Sequence, residues 1–72
     1  MKEIKMHGEY IKLDQALKKE NIIASGGEIG YFLQDHQVFL NGEKVHEKRK
    51  KLRPGDILQI DGEKYNITEE IK

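Results

Sequence analysis

Val38-Phe39-Leu40-Asn41-Gly42-Glu43-Lys44-Val45 is the stretch whose reading decides the fold. Asn-Gly is the dipeptide best suited to a two-residue type I′ turn, because both central positions need positive φ. A short strand over Val38–Leu40 therefore turns back and returns over Glu43 to His46, with Val45 on the apolar face. Downstream the same grammar continues. Pro54-Gly55-Asp56 reads as a turn and Ile57-Leu58-Gln59-Ile60 as a strand. Asp61-Gly62 is a second hairpin signal, and Tyr65-Asn66-Ile67 is a last strand.

Upstream of the hairpin the apolar period is helical. Ile29, Phe32, Leu33 and His36 fall at i, i+3, i+4 and i+7, one face of a helix ending near Gln37. Ser25-Gly26-Gly27-Glu28 has the form of a capping box, in which the Ser hydroxyl and the Glu carboxylate satisfy each other's backbone N–H. His36 at the end of this helix is expected to complement the C-terminal dipole. An earlier helix is expected from Leu13 to Glu20, built on Ile11, Leu13, Ala16 and Leu17. Asp14 sits near its N-terminus, where a carboxylate suits the dipole. Lys2 to His7 alternates weakly and reads as a short first strand, broken at Gly8. The fold class is α+β: two short helices packed on a small, mainly antiparallel sheet, in one domain over residues 1–72.

The bulk composition sets limits on function. A chain of 72 residues buries only about 60% of the surface its unfolded form exposes, so the core is thin. There is no Cys to add disulfides or thiolate metal sites. No apolar run approaches the roughly 18 residues a membrane span needs, and no signal peptide opens the chain. A cytoplasmic protein with no membrane partner is expected.

Net charge is zero, yet the charges are unevenly placed. Residues 44–53 hold six cations (Lys44, Lys48, Arg49, Lys50, Lys51, Arg53) against one acid, Glu47. The remainder holds seven cations and twelve acids. A segment of +5 thus sits on a body of −5, which can present one edge to a polyanion while the rest limits indiscriminate adhesion. The plain alternative is a solvated, charge-rich loop.

Reactive chemistry has poor candidates. Ser25 lacks the setting of an activated nucleophile. His7, His36 and His46 lie in three different elements without metal-ligand spacing. Asp56 and Asp61 read as turn residues. Gly26-Gly27 lacks the Lys-Ser/Thr ending of a nucleotide-hydrolase phosphate loop. The expectation is a protein that is not an enzyme, with no metal, no cofactor and no small-molecule substrate.

The order of elements carries a resemblance. Leu13-x-x-Ala16-Leu17 is followed by Ser25-Gly26-Gly27, Val38-x-Leu40-Asn41-Gly42 and Lys51-Leu52-x-Pro54-Gly55-Asp56-Ile57. This succession resembles the S-four RNA-binding domain, named after small-subunit ribosomal protein four. It looks closest to the free-standing, YaaA-like bacterial members, over roughly residues 2 to 67. The resemblance implies an alpha-L-like fold and binding to structured RNA, ribosomal or transfer, with a ribosomal subunit among the possible partners. By position, the RNA-facing surface would include Lys12, Lys18, the Ser25-Gly26-Gly27 turn, Lys48, Arg49, Lys50, Lys51 and Arg53. Two glycines at a helix N-terminus leave N–H groups open to a phosphate, although close packing of the helix on the sheet explains them equally well.

Two departures from the family pattern stand out. Relatives commonly carry a basic residue early in the second helix, where this chain has Ile29-Gly30-Tyr31. They also tend to begin the basic loop with Arg, where this chain has Glu47. Tyr31 is a candidate to stack on an exposed base, against the ordinary reading of half-buried packing. Gly30 costs about 1 kcal/mol relative to Ala inside a helix, and close approach of a partner is the one explanation available from sequence. Two other readings compete. A ubiquitin-like sulfur carrier shares the Asn-Gly and Pro-Gly-Asp signals but needs a C-terminal Gly-Gly, whereas this chain ends Glu70-Ile71-Lys72. A protein-interaction module of the ribosome or replication machinery would instead use the acidic body.

Overall fold

The computed structural model describes residues 1–70. Seven strands and two helices follow in the order β1 (Lys2–Met6), β2 (Ile11–Lys12), α1 (Leu13–Lys19), α2 (Ile29–Asp35), β3 (Val38–Leu40), β4 (Glu43–Lys44), β5 (Lys51–Leu52), β6 (Ile57–Ile60) and β7 (Glu63–Glu69). A single 3₁₀ turn, Gly26–Glu28, leads into α2. The main sheet runs β1-β7-β6-β3-β4, and β2 pairs with β5 in a separate two-stranded ribbon.

The α+β reading holds, and both hairpins lie where the dipeptides place them. Asn41 and Gly42 have φ of 51° and 86°, and Asp61 and Gly62 have 47° and 89°. Each turn therefore has two positive-φ centres, as type I′ requires. Four of the five strand pairings are antiparallel. The exception is β1, which runs parallel to β7 with Ile4 opposite Ile67.

One face of the sheet is buried, because apolar side chains alternate along each strand. Ile4 and Met6, Val38 and Leu40, Leu58 and Ile60, and Tyr65 and Ile67 all point inward. Against them pack Leu13, Ala16 and Leu17 of α1 and Ile29 of α2. Phe32 and Leu33 reach the same cluster from its margin. Val45 is buried as expected even though β4 ends a residue earlier, because its N–H donates to the Val38 carbonyl at 2.9 Å.

Helix α1 stops at Lys19 for a reason in the next two residues. Asn21 takes a left-handed φ of 59°. Its N–H donates to Lys18 O, and that of Ile22 to Leu17 O, the paired bonds of a Schellman ending. At the other end Asp14 lies in the first turn, and its carboxylate accepts from the Gln15 N–H at 3.0 Å.

Three local expectations are corrected. Ser25 is extended (φ −146°) and precedes the 3₁₀ turn, but its hydroxyl caps nothing. The Glu28 N–H donates instead to the Ser25 carbonyl at 3.1 Å, so the tighter winding uses up the donor that a capping box would hold. His36 does not serve the α2 carbonyls. Its Nδ1 meets Asp61 Oδ2 at 2.5 Å, and its ring stacks on Phe32 with centroids 4.2 Å apart. Finally, the basic run is not wholly loop. Leu52 is fully buried, and Lys51–Leu52 forms β5 against β2.

Candidate nucleic-acid interface

The short β2–β5 ribbon decides where the cations go. Burying Leu52 anchors the run at its C-terminal end, and the Leu13 N–H donates to Lys50 O at 2.8 Å, fixing it to the start of α1. The residues between Val45 and Lys50 must then bridge from the sheet edge at β4 to the helices. Along this bridge and the adjoining hairpin lies a cleft of about 660 Å³. Its cationic lining is Lys44, Arg49, Lys50, Lys51 and Arg53, with His46 among them. Glu43, Glu47 and Asp56 are its carboxylates.

Asp56 is already occupied. Its Oδ2 accepts from the Arg53 N–H at 2.9 Å, and its Oδ1 accepts from Asn41 Nδ2 at 3.1 Å. Asn41 Oδ1 in turn accepts from the Ile57 N–H at 2.9 Å. The first residue of the Asn-Gly turn thus bonds directly to the last residue of Pro-Gly-Asp. These bonds set the wall of the cleft, and they reduce the carboxylate's capacity to oppose an incoming anion.

Lys12 joins this region through the ribbon. It stands directly opposite Lys51 in register, an arrangement of like charges that is unfavourable by itself. Lys51 Nζ lies 4.8 Å from the centroid of the Tyr10 ring, which offsets part of that repulsion through the ring's negative face. A polyanion bound across the ribbon would remove the rest.

Lys48 turns the other way. A Cβ on Gly30 would stand 3.1 Å from Lys48 Cε and 3.4 Å from its Nζ, so the lysine lies against α2 in the space the missing methyl leaves. A methyl there would crowd only the flexible end of this exposed lysine, by a few tenths of an ångström, so the contact is close without requiring the glycine. The lysine supplies α2 with a cation from the loop, at the helix where the sequence lacks one.

Besides Lys12 and Lys48, which do not line the cleft itself, Lys18, the Ser25-Gly26-Gly27 turn and Tyr31 also lie outside it. Lys18 is exposed on α1 one turn after Asp14. The glycines of the Ser25-Gly26-Gly27 turn are not tightly packed. A Cβ at Gly27 meets nothing within 4 Å, and at Gly26 it meets only Asp14 Oδ2, at 3.7 Å. Close helix packing is therefore not their purpose, and a carboxylate stands beside the N–H groups proposed for a phosphate. Tyr31 is 72% exposed, which excludes half-buried packing, and it borders a separate groove with Glu28 and Asp35. Lys44, His46, Tyr10 and Gly30 are the residues that sequence reasoning did not assign. Lys44 was visible in the charge excess, but the others depend on contacts between distant segments.

The His36–Asp61 pair lies beyond this region, at the far end of α2. Asp61 Oδ1 accepts from the Gln37 N–H at 2.8 Å. That bond, followed by the one to His36, holds the Asp61 carboxyl below its ordinary value of 3.8.

Comparison with known proteins agrees with this architecture. Residues 4–68 match the family model described as S4 domain. The chain is 39% identical over 59 residues to a protein of Bacillus subtilis (strain 168) named "Probable ribosome maturation protein RlbA", covering 82% of this chain and 83% of that one. With nearly all of its sheet and both helices inside the matched span, the chain belongs to the S4 domain family.

Proposed function

We propose that this chain is a non-catalytic RNA-binding protein that docks the cleft beside its β3–β4 hairpin onto structured ribosomal RNA, in the service of ribosome maturation. The observation that carries this reading is the cleft's five cations converging on one opening. Clustered Lys and Arg neutralise phosphates and release counterions. Folded RNA is recognised largely through shape and backbone, so a rigid cationic edge suffices. The name of the Bacillus subtilis relative supports the ribosomal setting. A ribosomal ligand also places its site of action in the cytoplasm. Transfer RNA offers the same phosphate chemistry and is the comparison ligand for the test.

In this reading Arg49, Lys50, Lys51 and Arg53 contact phosphates along the cleft, and Lys12 extends the contact across the ribbon. Lys48 meets the RNA above α2. Lys18 and the Ser25-Gly26-Gly27 turn contribute at the margin, where Asp14 weakens them. Tyr31 is withdrawn from the RNA surface, because its neighbours on α2 are acidic.

The test is a titration of labelled structured ribosomal RNA, followed by fluorescence anisotropy at two salt concentrations. The five phosphate contacts assigned to Lys12, Arg49, Lys50, Lys51 and Arg53 give a log–log salt slope of roughly −4, at about 0.7–0.9 per contact. Replacing Lys48, Arg49, Lys51 and Arg53 by Ala should weaken binding at least about tenfold, about 1.4 kcal/mol, and flatten the slope. A folded variant that binds as tightly as the parent would refute the assigned surface. Equal affinity for transfer RNA would remove the ribosomal part of the reading.

A further inference from the structure

On the opposite flank of α2 from Gly30 lies a groove of about 490 Å³ with the opposite character. Ile22, Phe32 and Ile60 give it an apolar floor, and Glu28, Asp35 and Asp61 stand around it. No Lys or Arg lines it. Among the described residues Glu28 and Asp35 have no ion-pair partner, while Asp61 is engaged by His36. Tyr31, at 72%, is the most exposed large hydrophobic side chain among the described residues. It follows Glu28 by three positions and precedes Asp35 by four, the spacings that bring side chains together on a helix.

These features select an occupant by exclusion. A phosphate backbone would meet Glu28 and Asp35 with no Lys or Arg to offset them, the groove's His36 being held by Asp61. A wholly apolar partner would bury the carboxylates unpaired, at a high desolvation cost. A guanidinium on an aliphatic stem satisfies every part at once: its plane stacks on the tyrosine face, its donors reach the carboxylates, and its stem lies on the apolar floor.

We propose that this groove docks an arginine-bearing, basic segment of a protein partner, independently of RNA. The floor favours a segment that alternates cationic and aliphatic side chains over a free polyamine, which has none to place there.

The experiment uses the full, ¹⁵N-labelled chain titrated with a short peptide of alternating arginine and leucine. Saturable amide shifts are expected at Tyr31, Phe32, Asp35 and Ile60, with none across Arg49–Arg53. Glu28→Gln combined with Asp35→Asn should weaken the peptide roughly five- to tenfold, the yield of two exposed charge contacts, and leave RNA affinity intact. The Lys48→Ala, Arg49→Ala pair should leave the peptide unaffected. Equal shifts from a glutamate–leucine peptide would show a merely apolar groove. Displacement of the peptide by spermidine would assign the site to small polycations, and groove shifts that grow with protein concentration alone would assign it to the basic edge of a second copy. Each of these outcomes, or the absence of shifts at the groove, overturns the proposal. Failure of RNA binding would leave the peptide result standing.

Discussion

The two hairpin turns share a backbone and differ in what their first residue does. Asn41-Gly42 and Asp61-Gly62 have φ values within a few degrees of each other, and in both the first side chain reaches a distant segment. Asn41 gives one hydrogen bond and takes another, tying the hairpin to Asp56 and Ile57. Asp61 only accepts, from the Gln37 N–H and from His36, and so ties the end of α2 to the β6–β7 turn. The Asn41 amide at the cleft wall does not itself titrate, and it keeps both a donor and an acceptor at any pH. An ionised carboxylate pins the helix only while it stays ionised.

The contrast is broken most severely at Asn41. Asn41→Ala removes two side-chain hydrogen bonds, at about 1 kcal/mol each, and leaves a residue with a Cβ in the left-handed region, at about 1–2 kcal/mol less what Asn already tolerates. A loss of about 2–3 kcal/mol in urea denaturation is expected, with weaker RNA binding as the cleft wall loosens. An unchanged midpoint would mean that the turn backbone alone fixes the hairpin.

Asn41→Asp sharpens the contrast by making the two turns chemically alike. The new carboxylate would still accept from the Ile57 N–H, but would face Asp56 without a donor. Like charges at this distance raise a carboxyl pKa, so the folded state favours protonation. The variant should be less stable than the parent at neutral pH and recover part of the deficit as pH falls through the carboxylate range. Thermal melts across that range check the sign.

Asp61 should show the reverse dependence and a smaller effect. Its folded pKa lies below the ordinary 3.8, because of the Gln37 N–H first and His36 second. Its contribution is therefore fully present above about pH 4 and is lost as pH falls through the folded value. Asp61→Asn should lower stability slightly at neutral pH and flatten the acid limb of the stability curve. An acid limb that is the same in parent and variant would show that the pair adds nothing to folding.

The same contrast explains what was legible in the sequence. The positive-φ dipeptides determine their own backbone, so both hairpins, the strands they join and the apolar faces could be read locally. The partners of Asn41 lie 15 and 16 positions away, and the N–H that holds Asp61 lies 24 positions before it. No local pattern announces such bonds. Ser25 shows a misleading local pattern, since the Ser-x-x-Glu spacing presumes α winding where the two glycines permit a 3₁₀ turn. The cations of the cleft were evident from charge alone. Their division was not, because Lys48 turns to Gly30 only after the loop has been drawn across to α1. Strand β5 escaped notice because two residues are too few to show alternation. The full exposure of Tyr31 could not be read locally, because it depends on where α2 sits on the sheet.

The parallel pairing of β1 with β7 has a consequence for how the chain is made. Lys2 lies opposite Tyr65, so β1 has no sheet neighbour until the chain has been made through β7. During elongation β1 must wait while its eventual partner is still untranslated, and the hairpins downstream can close first because their contacts are local. Closure of this edge is thus a late, long-range step, and for that interval the apolar side chains of Ile4 and Met6 have only the nascent helices to cover them.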